Sequence, residues 1–187
     1  MTDELFDVVN EADEVVGQKP RSEVHRSQLL HRAVHVLVIN ARGRVFLQKR
    51  SRRKDTFPGA WDSSASGHLE AGESYDDAAA RELNEEIGLR PGRPLERLFK
   101  VDACSETGFE FVWVYRCDSD GPIQLNRDEI DEGGWFEPAR VSQWSKDRPN
   151  DFARAWLLIW PRFLTATRIA SAVLWAYLFS GTRITFT

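Results

Sequence analysis

The chain has 187 residues, 42% hydrophobic and 29% charged, which suits one compact domain with a sizeable core and excludes a disordered or fibrous protein. A formal net charge of −4 gives no bulk attraction for a nucleic acid polymer or an acidic membrane surface, so any phosphate binding must come from a local patch. Two cysteines, Cys104 and Cys117, cannot build a disulfide framework, and residues 1–5 lack the basic start and apolar run of a secretory signal; both imply a reducing, cytoplasmic setting.

Residues 7–9 and 15–18 are short valine-rich runs around a polar stretch, which predicts a hairpin. Residues 34–39 and 45–48 predict two central strands joined by a tight turn. The second strand runs straight into Lys49, Arg50, Arg52, Arg53 and Lys54. Residues 55–72 are rich in Gly, Ser and Pro without a helical period, and predict a shaped loop with short extended pieces, a kind of loop that often holds sites. A helix follows: Ser74 is its expected N-cap with Asp77 as capping-box partner, Asp76 and Asp77 suit the positive end of its dipole, and Gly88 stands where a left-handed C-terminal residue is wanted.

Residues 91–94 break the chain, residues 109–115 predict a strand, and Trp135 with Phe136 marks one end of another. Helices are expected over 138–144, started by Pro138, and over 151–160, capped by Asn150 or Asp151. From residue 152 onward there are four arginines, no acidic residue and three of the seven tryptophans. The longest uncharged stretch there, residues 169–182, has 14 residues, short of the roughly 20 that span a bilayer as a helix. We therefore expect a main domain over residues 1–165 and an apolar extension over 166–187, a helix docked on the body or on a second copy in a homodimer, with no firm membrane association.

The acids of the central helix are clustered. Glu82, Glu85 and Glu86 stand at i, i+3 and i+4, so three carboxylates crowd one face within a turn and repel each other. A hard divalent cation turns that repulsion into binding, and oxygen-only ligands select Mg²⁺ or Mn²⁺, with waters and substrate phosphates completing the shell.

The run GHLEAGESYDDAAARELNEEIGL, Gly67 to Leu89, resembles the Nudix box at every fixed position: Gly67, Glu73, Arg81-Glu82-Leu83, Glu85-Glu86 and Gly88-Leu89. The resemblance implies an α/β fold, an α/β/α sandwich with a mixed β-sheet, and a hydrolase that cleaves a diphosphate bond in a nucleoside-diphosphate-type small molecule by water attack at phosphorus. It implies metal ligation by Glu82, Glu85 and Glu86 with the Gly67 carbonyl, a Glu73–Arg81 pair that orients the helix, and Glu82 or a loop glutamate as base.

A second resemblance covers residues 31–88, where KRSRRKDTFPGAWDSSASGH is similar to the subgroup around isopentenyl-diphosphate isomerase. It implies a second metal site of His31, His68 and Glu110, with His25 one position out of step, and diphosphate contacts from Arg50 and Lys54. Where the isomerase places its proton-transferring cysteine this chain has Ser66, a far weaker acid, and its Nudix box is complete where that of the isomerase is not. Isomerisation of isopentenyl diphosphate and a non-catalytic metabolite-binding module are therefore the weaker expectations.

Three other features are open at this level. Phe57 and Trp61 flank the loop and suit either a base-stacking or a core role. Glu129, within residues 126–130, resembles a segment that supplies an extra metal-binding or base carboxylate in some Nudix enzymes, and suits a plain polar turn as well. Cys104 and Cys117 carry no metal spacing and are assigned no role.

Overall fold

The structure is a computed structural model; it describes the backbone of residues 3–179 and the side chains of residues 3–167. Strands β1 (Leu5–Val9) and β2 (Val15–Pro20) form an antiparallel hairpin, followed by the short helix α1 (Arg21–Arg26). The main sheet holds β3 (His31–Ile39), β4 (Val45–Arg50), β5 (Trp61–Asp62), β6 (Ala65–His68), β7 (Glu96–Val101), β8 (Glu110–Asp118) and β9 (Ile130–Phe136). It is mixed, because β3 and β8 run parallel over nine paired positions while the other pairings are antiparallel. Helix α2 (Tyr75–Ile87) covers one face; α3 (Pro138–Asp147) and α4 (Arg154–Phe179) cover the other.

The alternation of β3 explains the layering, since successive side chains of a strand point to opposite faces. Val34, Val36 and Val38 pack under α2 against Ala78, Ala79, Leu83 and Ile87. Ala33 and Leu37 face the other way, into a core with Trp156, Ile159 and Trp160 of α4. Both faces of the strand are buried, as its near-continuous apolar run requires.

The two central strands are not a full ladder. After the turn, closed by Asn40 Oδ1 accepting the N–H groups of Arg42 (3.0 Å) and Arg44 (2.9 Å), β3 and β4 share only the Ile39–Val45 pair and then part. Residues Ala33 to Val36 pair instead with β6, and β4 pairs with β9 and β5. This split in the sheet opens the cleft described below.

Other boundaries also moved. The helix expected from residue 151 begins at Arg154, because Phe152 stays extended to bridge Trp61 and the N–H of Ala153 donates to the Trp61 carbonyl (3.0 Å). Asn150 and Asp151 lie in a 3-10 turn instead, with Asp151 accepting the indole N–H of Trp144 at 2.7 Å. Helix α1 and strand β7 were not anticipated; both are short and polar on the outside, which blurs their periodicity. Trp135 and Phe136 end a strand that starts at Ile130. The backbone of α4 is helical to Phe179, but the docking expected of the 166–187 extension lies outside the described side chains. Among the described residues, no helix is long and apolar enough to cross a membrane.

Candidate active site

The site begins with the start of α2. Ser74 caps the helix, its Oγ accepting the Asp77 N–H (3.2 Å) and donating to the Asp77 carboxylate (2.6 Å), and Gly88 closes the far end at φ +71°. A capped helix of fixed phase puts Glu82, Glu85 and Glu86 on the side facing the split. Glu86 is buried, accepting hydrogen bonds from Gln48 of β4 (2.7 Å) and from the Ser66 N–H of β6 (2.9 Å), so one carboxylate bridges β4 and β6. A Cβ built on Gly67 would overlap the Glu82 carboxylate; only glycine leaves room for that approach.

Arg81 holds this arrangement in place. Its guanidinium binds Glu73 through two nitrogens (2.8 and 2.9 Å), the His68 carbonyl (2.9 Å), Glu82 (2.8 Å) and Glu85 (3.1 Å). Bidentate pairing of this kind fixes geometry as well as charge, and it ties the loop after β6 to the helix.

The opposite wall is cationic. Arg50, at the end of β4, donates to the Thr56 carbonyl and hydroxyl (3.2 Å each) and lies 3.5 Å from Asp62. Lys54 pairs with Glu129, and Arg21 and Arg53 reach the same cleft, whose volume is about 900 Å³. Phe57 stands exposed in the cleft lining with a left-handed φ of +48°, whereas Trp61 is 8% exposed and packs against Phe136 and Trp144, so its role is core packing.

At the cleft's far end three imidazoles meet, with ring centroids of His25, His31 and His68 5.0 to 5.2 Å apart and a ligand atom of each within 4.8 Å of the others. His68 donates to Glu110 at 3.0 Å. His31 Nδ1 donates to the Leu29 carbonyl (2.8 Å), and its Nε2 is buried without a hydrogen bond 3.5 Å from Glu110; His25 Nε2 is likewise buried without a partner. Orphaned buried nitrogens beside a carboxylate fit a divalent cation.

A family model of the NUDIX domain matches residues 29–157, well over half of the chain. The chain belongs to the Nudix family. It is 32% identical to an uncharacterised Nudix hydrolase of Yersinia pestis over 163 residues, covering 84% of this chain and 85% of that protein. A Nudix hydrolase of Pseudomonas aeruginosa, also uncharacterised, is 35% identical over 150 residues, 78% and 86% of the two chains. Among solved structures, a Deinococcus radiodurans protein superposes with a TM-score of 0.66 at 32% identity, covering 75% of this chain and 90% of its own. The Nudix domain of a Shewanella oneidensis protein, solved with ADP-ribose, superposes at 0.59 with 19% identity, over 79% and 98% of the chains, and shares the fold. These relatives make the chain an enzyme of the Nudix hydrolase family, whose members act on diphosphates and use divalent metal ions.

In the Nudix hydrolase the charges of the site depend on one another. Burial, with the neighbouring Glu82 carboxylate, pushes Glu86 up to about 7. Burial also raises Glu82, against the pull of Arg81. It lowers the Lys54 ammonium, opposed by Glu86. Burial works against a charged Glu110, but His68 and His31 hold it well below the usual carboxylate range. His25 is brought down to about 4 by burial and by His68 and His31. Glu82 and Glu86 are thus held against their own ionisation, as expected where a cation is to be received.

The structure gathers every site residue expected from sequence around one cleft or its supports: Gly67, Glu82, Glu85, Glu86, Arg50, Lys54, Glu129, His68 and Glu110 lie along it, with Glu73, Arg81 and His31 bracing them. His25, displaced by one residue in the sequence comparison, joins the imidazole cluster through α1. Sequence reading missed Gln48, the second partner of Glu86, and His35 and Asp62, which line the cleft, with Ser63 buried behind them as the partner of His35 Nδ1. The alternation of β3 would have signalled His35, since His31, Ala33 and His35 share one face.

Proposed function

We propose that the chain hydrolyses the phosphoanhydride bond of a small-molecule diphosphate with Mg²⁺ or Mn²⁺ held by Glu82, Glu85 and Glu86 and the carbonyl of Gly67. The observation that carries this reading is the facing of two charges across one cleft: three box carboxylates on α2, and Arg50 with Lys54 beyond the split. A bound divalent ion would neutralise phosphate charge and lower the pKa of a water. Arg50 and Lys54 hold the diphosphate, with Glu129 setting the position of Lys54. Glu73 and Arg81 orient the helix. Glu82 or Glu85 takes the proton of the attacking water; Glu85 has the more open carboxylate, 54% exposed against 13% for Glu82. The anhydride oxygen leaves on one phosphate as the water oxygen joins the other.

A second cation site of His31, His68 and Glu110, completed by His25, supports an isomerase-like scaffold on which Ser66 leaves the chemistry hydrolytic. The test is incubation with Mg²⁺ and a panel of nucleoside, sugar-nucleotide, dinucleotide and prenyl diphosphates, with products followed by phosphorus NMR. We expect hydrolysis of at least one class, and a loss of about 100-fold or more in turnover for Glu85→Gln, equivalent to about 2.7 kcal/mol of barrier. Native-like turnover in that variant would remove the box from the mechanism.

A further inference from the structure

His35 lies on the floor of the cleft, 5% exposed, opposite Ser66 in the β3–β6 register. Its ring is gripped from one side. Ser63 Oγ donates to the Ala65 carbonyl (3.2 Å) and therefore receives the proton of His35 Nδ1 (2.8 Å), with Asp62 Oδ1 3.6 Å from the same nitrogen. Asp62 accepts the Ser63 N–H at 2.8 Å and lies 3.5 Å from Arg50, so the imidazole and the phosphate-facing guanidinium share one anchor.

This grip selects the Nδ1–H tautomer and puts the lone pair on Nε2. That nitrogen has no protein partner among the described residues, yet it is not one of the sealed, orphaned atoms; it opens to the cleft. Burial, opposed by Asp62, holds the ring below its usual pKa range and hence neutral. Ala33, Ala153 and Ala155 are among the residues that line the cleft, and Ser66, the register partner of His35, lines it too. An acceptor that opens to the cleft takes its hydrogen bond from water until a bound group displaces that water, and a hydrocarbon brings no donor in its place. A phosphate brings only acceptors, so it does not match a lone pair.

We propose that His35 Nε2 is a specificity determinant that accepts a hydrogen bond from a hydroxyl or N–H of the group attached to the diphosphate, so that the substrate is a diphosphate with a sugar-like polar substituent and not a prenyl diphosphate. The inference rests on the hydrolase reading above for its chemistry, though not for the recognition itself.

The test uses the full chain with Mg²⁺ and two probes, ADP-ribose, which carries hydroxyl-bearing riboses, and isopentenyl diphosphate, which carries a bare hydrocarbon. ADP-ribose should be hydrolysed in preference. In His35→Leu its kcat/KM should fall about 10- to 100-fold, as expected when one recognition hydrogen bond is lost, while His35→Gln, which restores an acceptor, recovers part of it. Any turnover of isopentenyl diphosphate should not fall in either variant. Independently, in protein labelled with ¹⁵N-histidine, the His35 Nε2 resonance should shift upon addition of ADP-ribose and stay in place with inorganic pyrophosphate. An unmoved resonance, an equal shift with pyrophosphate, a preference for isopentenyl diphosphate, or unchanged selectivity in His35→Leu would overturn the inference. If neither probe is hydrolysed but Nε2 still responds to ADP-ribose alone, the hydrolase reading fails and the recognition stands.

Discussion

Glu86 shows how the burial of a single box carboxylate is a cost to the fold. Its carboxylate is enclosed by Gln48 and Ser66 with Glu82 close by, and its pKa rises from 4.5 to about 7. A raised carboxylate pKa means that the folded protein keeps a proton the unfolded chain has released, so this group's contribution to stability is full below about 4.5 and is lost as pH rises to about 7. With metal chelated, thermal melts of the native protein and of Glu86→Gln should therefore diverge as pH rises through that window, with the glutamine variant gaining relative stability. Parallel melts at all pH values would contradict this account of Glu86. Gly67 follows the same logic by shape: the position is glycine because the Glu82 carboxylate occupies the space of a side chain.

Among the elements, the N-terminal hairpin forms a two-stranded sheet of its own, and Asp13 pins its tip. Asp13, at φ +61°, accepts hydrogen bonds from Arg32 (2.6 Å), Tyr75 (2.9 Å) and Lys100 (2.6 Å), joining the β1–β2 turn to β3, α2 and β7. Burial works against its charge, yet Lys100, Arg32 and Tyr75 hold its carboxyl below the usual range. The anchor matters to the site because Phe6 of β1 lies against all three imidazoles, 4.8 Å from His68. Asp13→Asn keeps the shape and the left-handed backbone but removes the charge. We expect a loss of about 1–3 kcal/mol in denaturant unfolding, the range for hydrogen bonds to a charged, partly buried group. Amide exchange should quicken in β1 and β2 before the main sheet, and uniform exchange across both sheets would show that the hairpin is not a separable unit.

For the molecule as a whole, the cleft is a product of the sheet's parting, with anionic and cationic walls supplied by segments distant in sequence. Arg50 and Lys54 contact no box residue through a hydrogen bond, so their removal should leave the carboxylates in place. Replacing both with alanine should raise KM for the best diphosphate about 10-fold or more with a smaller change in kcat, as loss of binding common to ground and transition states does. A fall in kcat at constant KM would assign them to the transition state alone.

The box helix was legible because its causes are local: Ser74 and Gly88 fix its ends, and the i, i+3, i+4 spacing of Glu82, Glu85 and Glu86 follows from helical geometry whatever surrounds it. The alternating strands and the hairpin were legible for the same reason. What only the tertiary structure decided was pairing at a distance. The departure of β4 from β3 after one pair, the late start of α4 imposed by Trp61, the convergence of His25 from α1 on His31 and His68, and the exposure of His35 Nε2 depend on which strand occupies which edge. Short-range propensity carries no record of that choice, because strand register is set by burial of whole faces and not by any neighbouring residue.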